Sequence, residues 1–390
     1  MKRFPILALL LLNSAPKMAA QQSLDSILFA VERNNLELKS LQQQLTADVL
    51  DVKSQNALSG PTVEYSPFYQ KGYTGMAESE LVVTQEFDFP TRYAQRNRQA
   101  GLTETAGERR YRSARKQVLL EATLCYLDIV HSNRTLAVLR QRQQDSDDVL
   151  RLLQERMNAG DANALEINKA KMDRMDAMAL CSKAEGERVQ QLGRLRLLNG
   201  GEDLEVTDSL FPAFRLDKDC ETYVRERLQT DADVLAAEAI LVQAEHELSM
   251  SRTAWLPNLS VGYRRNTERG EAVNGFLVGA SFPLMGSKNK VRAARMRQQS
   301  AQTDVMQLRH ETETQLRALY KELLALHETV NRFDTNLMEE SLGLLTKALQ
   351  MGQITTLQYY TEVGEIYNKL LSQIELEYQA AKVYARLFSE

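Results

Sequence analysis

The constraint that weighs most on this chain is a duplication, because its main features occur twice, about 195 residues apart. The stretch from Leu58 to Tyr65 has a counterpart from Trp255 to Val261, which pairs Pro61 with Pro257 at an offset of 196. The stretch from Ala159 to Glu166 matches Met351 to Gln358, pairing Gly160 with Gly352 and Leu165 with Leu357 at an offset of 192. Between each Pro and its Gly the order is the same: two short alternating segments, then one very long helical run. Solenoid repeats run about 20–50 residues. A period this long therefore means a duplicated half, and a fold with internal pseudo-twofold symmetry.

The chain starts Met-Lys-Arg, runs through apolar residues from Phe4 to Leu12 with only Pro5 interrupting, and continues in small residues to Gln21. A basic start, a short apolar core and small residues read as a secretory signal peptide, residues 1–20, cleaved near Ala20. A buried N-terminal helix is the other reading of the same run, which is too short for the roughly 20 residues of a spanning helix. Residues 21–390 then make a single domain, with repeats at about 23–199 and 219–390 and a connector at 200–218. Losing Lys2, Arg3 and Lys17 takes the net charge from −4 to −7, and an acidic mature chain argues against nucleic acid as a partner. Cys125, Cys181 and Cys220 form neither a disulfide framework nor a metal knuckle.

Helical spacing covers 24–33 and 36–57, and Pro61 closes the second of these. Strands are expected at 62–69 and 79–89, and again at 258–265 and 274–283. In the first repeat Leu81, Val83, Phe87 and Phe89 alternate with Glu80, Thr84, Glu86 and Asp88; in the second, Leu259, Val261 and Tyr263 alternate with Ser260, Gly262 and Arg264. Long helices follow at 92–157 and 288–350, about 99 and 95 Å at 1.5 Å per residue. Each ends at a glycine suited to the left-handed conformation of a helix C-terminus, Gly160 or Gly352. The returning helices, 161–198 and 355–388, are shorter. Helices 36–57 and 231–254 have the missing length, so each long helix is expected to pair with two short ones laid head to tail.

Four strands of this length suit a bilayer crossing, which takes about 9–11 tilted residues each. An open sheet leaves edge amides and carbonyls without partners in lipid, and eight strands is the practical minimum for closure. The strands thus read either as one chain's share of an oligomeric barrel or as a small soluble sheet capping a coiled coil. Leu81, Val83, Leu259 and Val261 are the expected lipid face.

These residues together resemble the outer membrane efflux proteins typified by TolC, in their CusC/CzcC-like branch, over about residues 23–388. The marks are the Asn34-Asn35-Leu36-Glu37-Leu38 helix start and the breaks at Pro61 and Pro257. The Gln85-Glu86-Phe87-Asp88-Phe89-Pro90 and Ser281-Phe282-Pro283-Leu284 strand ends and the two hairpin turns complete the set. The second strand is followed by Thr91 where the family has glycine, while Gly286 keeps it in the other half. The resemblance implies a mainly α fold with a small β part. Duplicated long hairpins would form an α-barrel tunnel, and a homotrimer would share one transmembrane β-barrel in outer-membrane lipid. It also implies a periplasmic adaptor (membrane fusion) protein and an inner-membrane pump of RND or ABC type as partners, and no cofactor. On this reading Gly160, Leu165, Gly352 and Leu357 form the docking tips for the adaptor. Asp161, Glu166, Asp173, Glu362 and Glu365 either ring a gate or lie on the outer solvated face.

No phosphate loop, nucleophile elbow or metal-ligand cluster stands out. His310-Glu311 and His327-Glu328 begin like a zinc-protease helix but lack the second histidine. Met172, Met175 and Met178 are read as core packing rather than ligands. The function expected is a passive exit duct of a tripartite efflux pump or exporter, not an enzyme. The alternative is a periplasmic coiled-coil adaptor or scaffold without a pore.

Overall fold

The structure, a computed structural model, describes residues 15–72, 74–213, 219–269, 271–283 and 287–389, with the side chains of 15–23 and 287 left aside. Residues 1–14 of the expected leader, and Gly270, Leu284 and Gly286, lie outside the described residues. Helices α1 (Ala15–Asn34) and α2 (Leu36–Ser54) precede strands β1 (Thr62–Phe68) and β2 (Glu78–Phe87), then α3 (Pro90–Asn158) and α4 (Ala164–Leu198). The second half gives α5 (Cys220–Thr230), α6 (Ala232–Arg252), β3 (Asn258–Glu268), β4 (Glu271–Ser281), α7 (Ser287–Val330), α8 (Thr335–Gln350) and α9 (Thr356–Phe388). Among the described residues the fold is mainly α with one small antiparallel sheet. Its elements follow the same order in both halves, apart from one break.

That break corrects the single helix expected at 288–350. The chain leaves α7 in a turn, with Asn331 N donating to His327 O at 3.1 Å and Arg332 N to Thr329 O at 3.1 Å. Asp334 then caps α8 by accepting from Leu337 N at 3.0 Å. A side-chain acceptor competing for backbone donors is what starts a new helix here. By contrast α3 runs unbroken for 69 residues, about 104 Å. Strands β3 and β4, at 11 residues each, are longer than expected, and Phe89 lies beyond β2.

The chain divides into two compact units. One comprises Ser40–Ser113 and Leu228–Glu311 and holds the sheet. Within it α2 lies on α3 closely enough that a Cβ at Gly107 would stand 3.4 Å from Leu45. Arg297 of α7 pairs with Glu247 of α6 at 2.5 Å. Arg92, in the first turn of α3, gathers the strand ends: it donates to Asp88 (3.2 Å), Asn258 (2.8 Å) and the carbonyls of Ala254 (3.0 Å) and Leu256 (2.6 Å).

The other unit comprises Met1–Lys39, Ala114–Arg227 and Thr312–Glu390. One core cluster packs Val149 and Leu153 of α3, Ile167 and Ala170 of α4, Leu349 of α8 and Tyr367 of α9. The connector holds no strand at 204–206. It is fastened to α3 by Asn133, which donates to the carbonyls of Val206 (3.2 Å) and Asp208 (2.9 Å), and by Tyr126, whose hydroxyl donates to Asp208 at 2.9 Å. All three cysteines are free.

His131 of α3 stacks on Tyr378 at 4.4 Å and stands 3.2 Å from Glu375. Burial holds its imidazole below the usual value of 6.5, although Glu375, Asp128 and Glu187 pull the other way. The folded chain disfavours the protonated ring relative to the unfolded chain. This contribution to stability is therefore present above about pH 6.5 and lost as pH falls through the lower folded value. Thermal stability is expected to decline on acidification from pH 7 to 5, and less steeply in His131→Gln. A variant with the same slope as the parent would rule His131 out.

Candidate functional site

Two regions carry the residues singled out in the sequence, each within one unit. The first is the sheet, a meander of order β1-β2-β3-β4. Its register aligns Val63, Val83, Tyr263 and Phe276 across all four strands; the next rows on the same face are Gln85–Val261–Val278 and Phe87–Leu259–Ala280. Leu81, Val83, Leu259 and Val261 thus share one face. That face is open: Phe276 is 89% and Val278 87% exposed. The opposite face carries Glu64, Glu80, Thr84, Ser260, Arg264 and Asn266, with Arg264 paired to Glu80 at 2.8 Å. It is also crowded. A Cβ at Gly279 would lie 2.5 Å from Ser260 Oγ, and one at Gly262 would lie 2.7 Å from Val83 O. A sheet that is apolar on one face and polar with glycines on the other has the chemistry of a barrel wall between lipid and water. Among the described residues no helix is long and apolar enough to cross a membrane.

The second region is the pair of turns. Gly160 (φ 84°) and Gly352 (φ 68°) occupy the left-handed region, where a Cβ costs about 1–2 kcal/mol. Gly160 N donates to Met157 O and Asp161 N to Arg156 O; Gly352 N donates to Leu349 O and Gln353 N to Ala348 O. Both turns are therefore Schellman motifs. Both returning helices open with reciprocal capping boxes, Asn163 with Glu166 and Thr355 with Gln358. The turns are tied together: Thr356 Oγ1 donates to Glu166 Oε1 at 2.9 Å, and Arg156 Nη2 donates to the carbonyls of Leu349 and Gln350 at 2.8 Å each. Just inside them Leu165 is 76% and Leu357 69% exposed.

The acids divide. Asp161, Glu362 and Glu365 are exposed, with Glu365 3.6 Å from Lys369. Glu166 is engaged on both oxygens, by Asn163 N and by Thr356. Asp173 is a correction to the gate set. It is buried, accepting from Arg142 at 2.8 Å and from Ser146 at 2.5 Å, so it holds helices together rather than facing an open passage. The methionines are a second correction: Met172, Met175 and Met178 are exposed, and the packed side of α4 is lined by Ala170, Ala177 and Ala184 instead. The sequence reading also missed a groove of about 770 Å³ beside α8, floored by Tyr367, Leu370 and Ile374.

No family model and no curated protein matches the sequence. Solved structures do match. CusC aligns with a TM-score of 0.75 at 15% identity, covering 94% of this chain and 91% of its own. The CmeC outer membrane channel of Campylobacter jejuni gives 0.76 at 15% identity, covering 94% and 85%. The MtrE outer membrane channel of Neisseria gonorrhoeae, in its open state, gives 0.77 at 14% identity, covering 94% and 88%. The likeness spans both repeats and the sheet, and the chain has the fold of the outer-membrane efflux channels.

Proposed function

We propose that the chain is one protomer of a homotrimeric exit duct, which carries substrates passively across the periplasm and the outer membrane of a Gram-negative bacterium. The observation that carries this reading is the sheet. It has one apolar and one polar face, and β1 and β4 have no strand beyond them among the described residues. Bare edges cannot stand in lipid. Three copies joined β4 to β1 give twelve strands and no edge. The exposed aromatics Tyr65 and Tyr69 toward one end of the sheet, and Trp255 and Phe282 near the other, suit the two interfacial girdles of such a barrel. A scaffold without a pore would leave the apolar face in water. Energy would come from an inner-membrane pump, joined through a periplasmic adaptor at the helix turns.

The test is cross-linking of detergent-extracted chain: trimers are expected, and monomers alone would overturn the reading. Arginine in place of Val83 or Val261 is expected to cost about 2–4 kcal/mol at mid-bilayer. Thr84→Arg, on the polar face, should cost far less. Barrel unfolding in lipid checks this; equal costs would overturn the assignment of faces, and a larger cost for Thr84→Arg would reverse it.

Asp161, Glu362 and Glu365 would place rings of carboxylates at the tips, each acid repeated by symmetry. Such rings attract cations. Divalent cations are expected to lower single-channel conductance in a planar bilayer, and Glu362→Gln with Glu365→Gln to relieve most of that block. Current indifferent to divalents would dismiss the rings.

A further inference from the structure

Helix α4 has two working faces, and the chain itself covers only one. The covered face carries Ile167, Ala170, Ala177, Ala184 and Leu195, all buried. On the opposite side a row recurs every seven residues, Met172, Ala179, Gly186 and Gly193, flanked by Met175 and Val189. Met172 is 52%, Met175 67% and Val189 60% exposed, and nothing lies within 4 Å of a Cβ built at Gly186 or Gly193. Helix α8 carries its own exposed row at the same spacing: Leu337, Leu344 and, at its cap, Met351, at 59%, 66% and 71%. A seven-residue apolar repeat is the signature of a helix that packs along another helix. Here one row has large residues, and the other shrinks from Met to Ala to Gly, which lets a backbone approach closely. Left in water, each row is an apolar patch of the kind that marks an interaction surface.

We infer that the outward row of α4 packs against the outward row of α8 from a neighbouring copy of the chain, forming the seam between protomers; the inference rests on the trimeric reading above. The levels of the two rows single out a second copy as the occupant. The bonds from Thr356 to Glu166 and from Arg156 to the Leu349 and Gln350 carbonyls hold both turns at one height, with Gln350 level with Glu166. Helices α4 and α8 run oppositely from that height with the same rise per residue. Met172 is therefore level with Leu344, and Ala179 with Leu337. A closed ring relates its copies by rotation without translation along the axis. Levels within one chain are thus levels between neighbours, and the two rows meet in register: Met172 with Leu344, and Ala179 with Leu337. Leu165 and Met351, at the turns themselves, stay outside the seam.

The test is a paired-cysteine experiment on the full chain in detergent. Cys181 and Cys220 are replaced by Ala. Cys125 stays, because it is buried and its thiol is pushed up to about 11, which keeps it out of mild oxidation. Met172→Cys with Leu344→Cys is expected to give covalent trimers on oxidation, at least tenfold more than Met172→Cys with Leu324→Cys, whose partner is twenty residues out of register. A second readout uses Met172→Cys alone: maleimide should label it slowly in the trimer and fast once heat has separated the chains. Intact trimers without the link, with equal linking of the control pair, or with Met172→Cys labelled at full rate would overturn the seam and leave the duct reading standing. A parent chain that is monomeric in detergent would overturn the duct reading, and the seam with it.

Discussion

Asp173→Ala is expected to destabilise the folded chain by about 3–5 kcal/mol, the cost of removing one partner from a buried ion pair. Asp173 and Arg142 are both nearly enclosed, with side chains 11% and 12% exposed and 2.8 Å between them. Ser146 adds a second donor to the carboxylate, and the Arg142 guanidinium lies 5.6 Å from the centre of the Tyr367 ring. Tyr367 in turn donates to Asp145 at 2.5 Å, so the pair ties α3, α4 and α9 together near the core. Taking away the carboxylate leaves a buried cation with no counter-charge, and that penalty exceeds the net worth of the bond. Two further variants separate these contributions. Asp173→Asn keeps a hydrogen-bond acceptor and should lose less. Asp173→Ala combined with Arg142→Met removes both charges and should recover much of the loss, which makes the coupling measurable as a double-mutant cycle. Chemical unfolding of the detergent-solubilised chain is the measurement. A loss under about 1 kcal/mol for Asp173→Ala would mean that the pair is wet, and would return Asp173 to the acids facing a passage.

The same residue shows what the sequence made legible and what it did not. Both Pro-to-Gly spans were visible as a repeat, and the strand faces followed from alternation, since a period of two leaves no choice once one residue is assigned. Gly160 and Gly352 were legible because only one residue type is at ease with a positive φ at a helix end. Asp173 was misassigned because an acid on a helix reads as polar surface. Yet its spacing to Ala170, Ala177 and Ala184 puts it in the buried stripe, and that signal was available. The methionines failed for the opposite reason. In this part of α4 Ala170 and Ala177 turn inward while Met172, Met175 and Met178 turn outward, so hydrophobicity alone named the wrong face as core. The break in the last long helix hung on Asp334, whose cap is a three-residue event inside a sequence that otherwise keeps helical spacing. Short-range competition of that kind is invisible to a periodicity averaged over many turns.

Substituting Leu165→Glu and Leu357→Glu together is expected to abolish efflux while leaving trimer yield and membrane insertion unchanged. Each leucine stands in the first turn of a returning helix, beyond a Schellman turn and a capping box, and each is largely exposed. Exposed side chains contribute little to the fold, so their replacement should stay within about 0.5 kcal/mol of neutral. The helix starts themselves depend on Asn163, Glu166, Thr355 and Gln358, which the change leaves alone. An acid in the first helical turn is, if anything, favourable to the helix dipole. On the docking at the turns proposed above, what the change removes is an apolar contact with the adaptor. Burying a leucine against a partner is worth about 1.5–3 kcal/mol. Losing both therefore weakens docking by about 3–6 kcal/mol, a factor of roughly 10² to 10⁴ in affinity, before any penalty for desolvating two carboxylates. That margin is enough to empty a complex of ordinary strength. The two single variants should each fall between the parent and the double, because the duplicated turns present equivalent tips. Pull-down of the adaptor by the assembled duct, read beside efflux in cells, separates docking from conduction. Normal efflux with full adaptor capture in the double variant would end the docking role of these leucines, whereas normal capture with lost efflux would move them from docking to the passage itself.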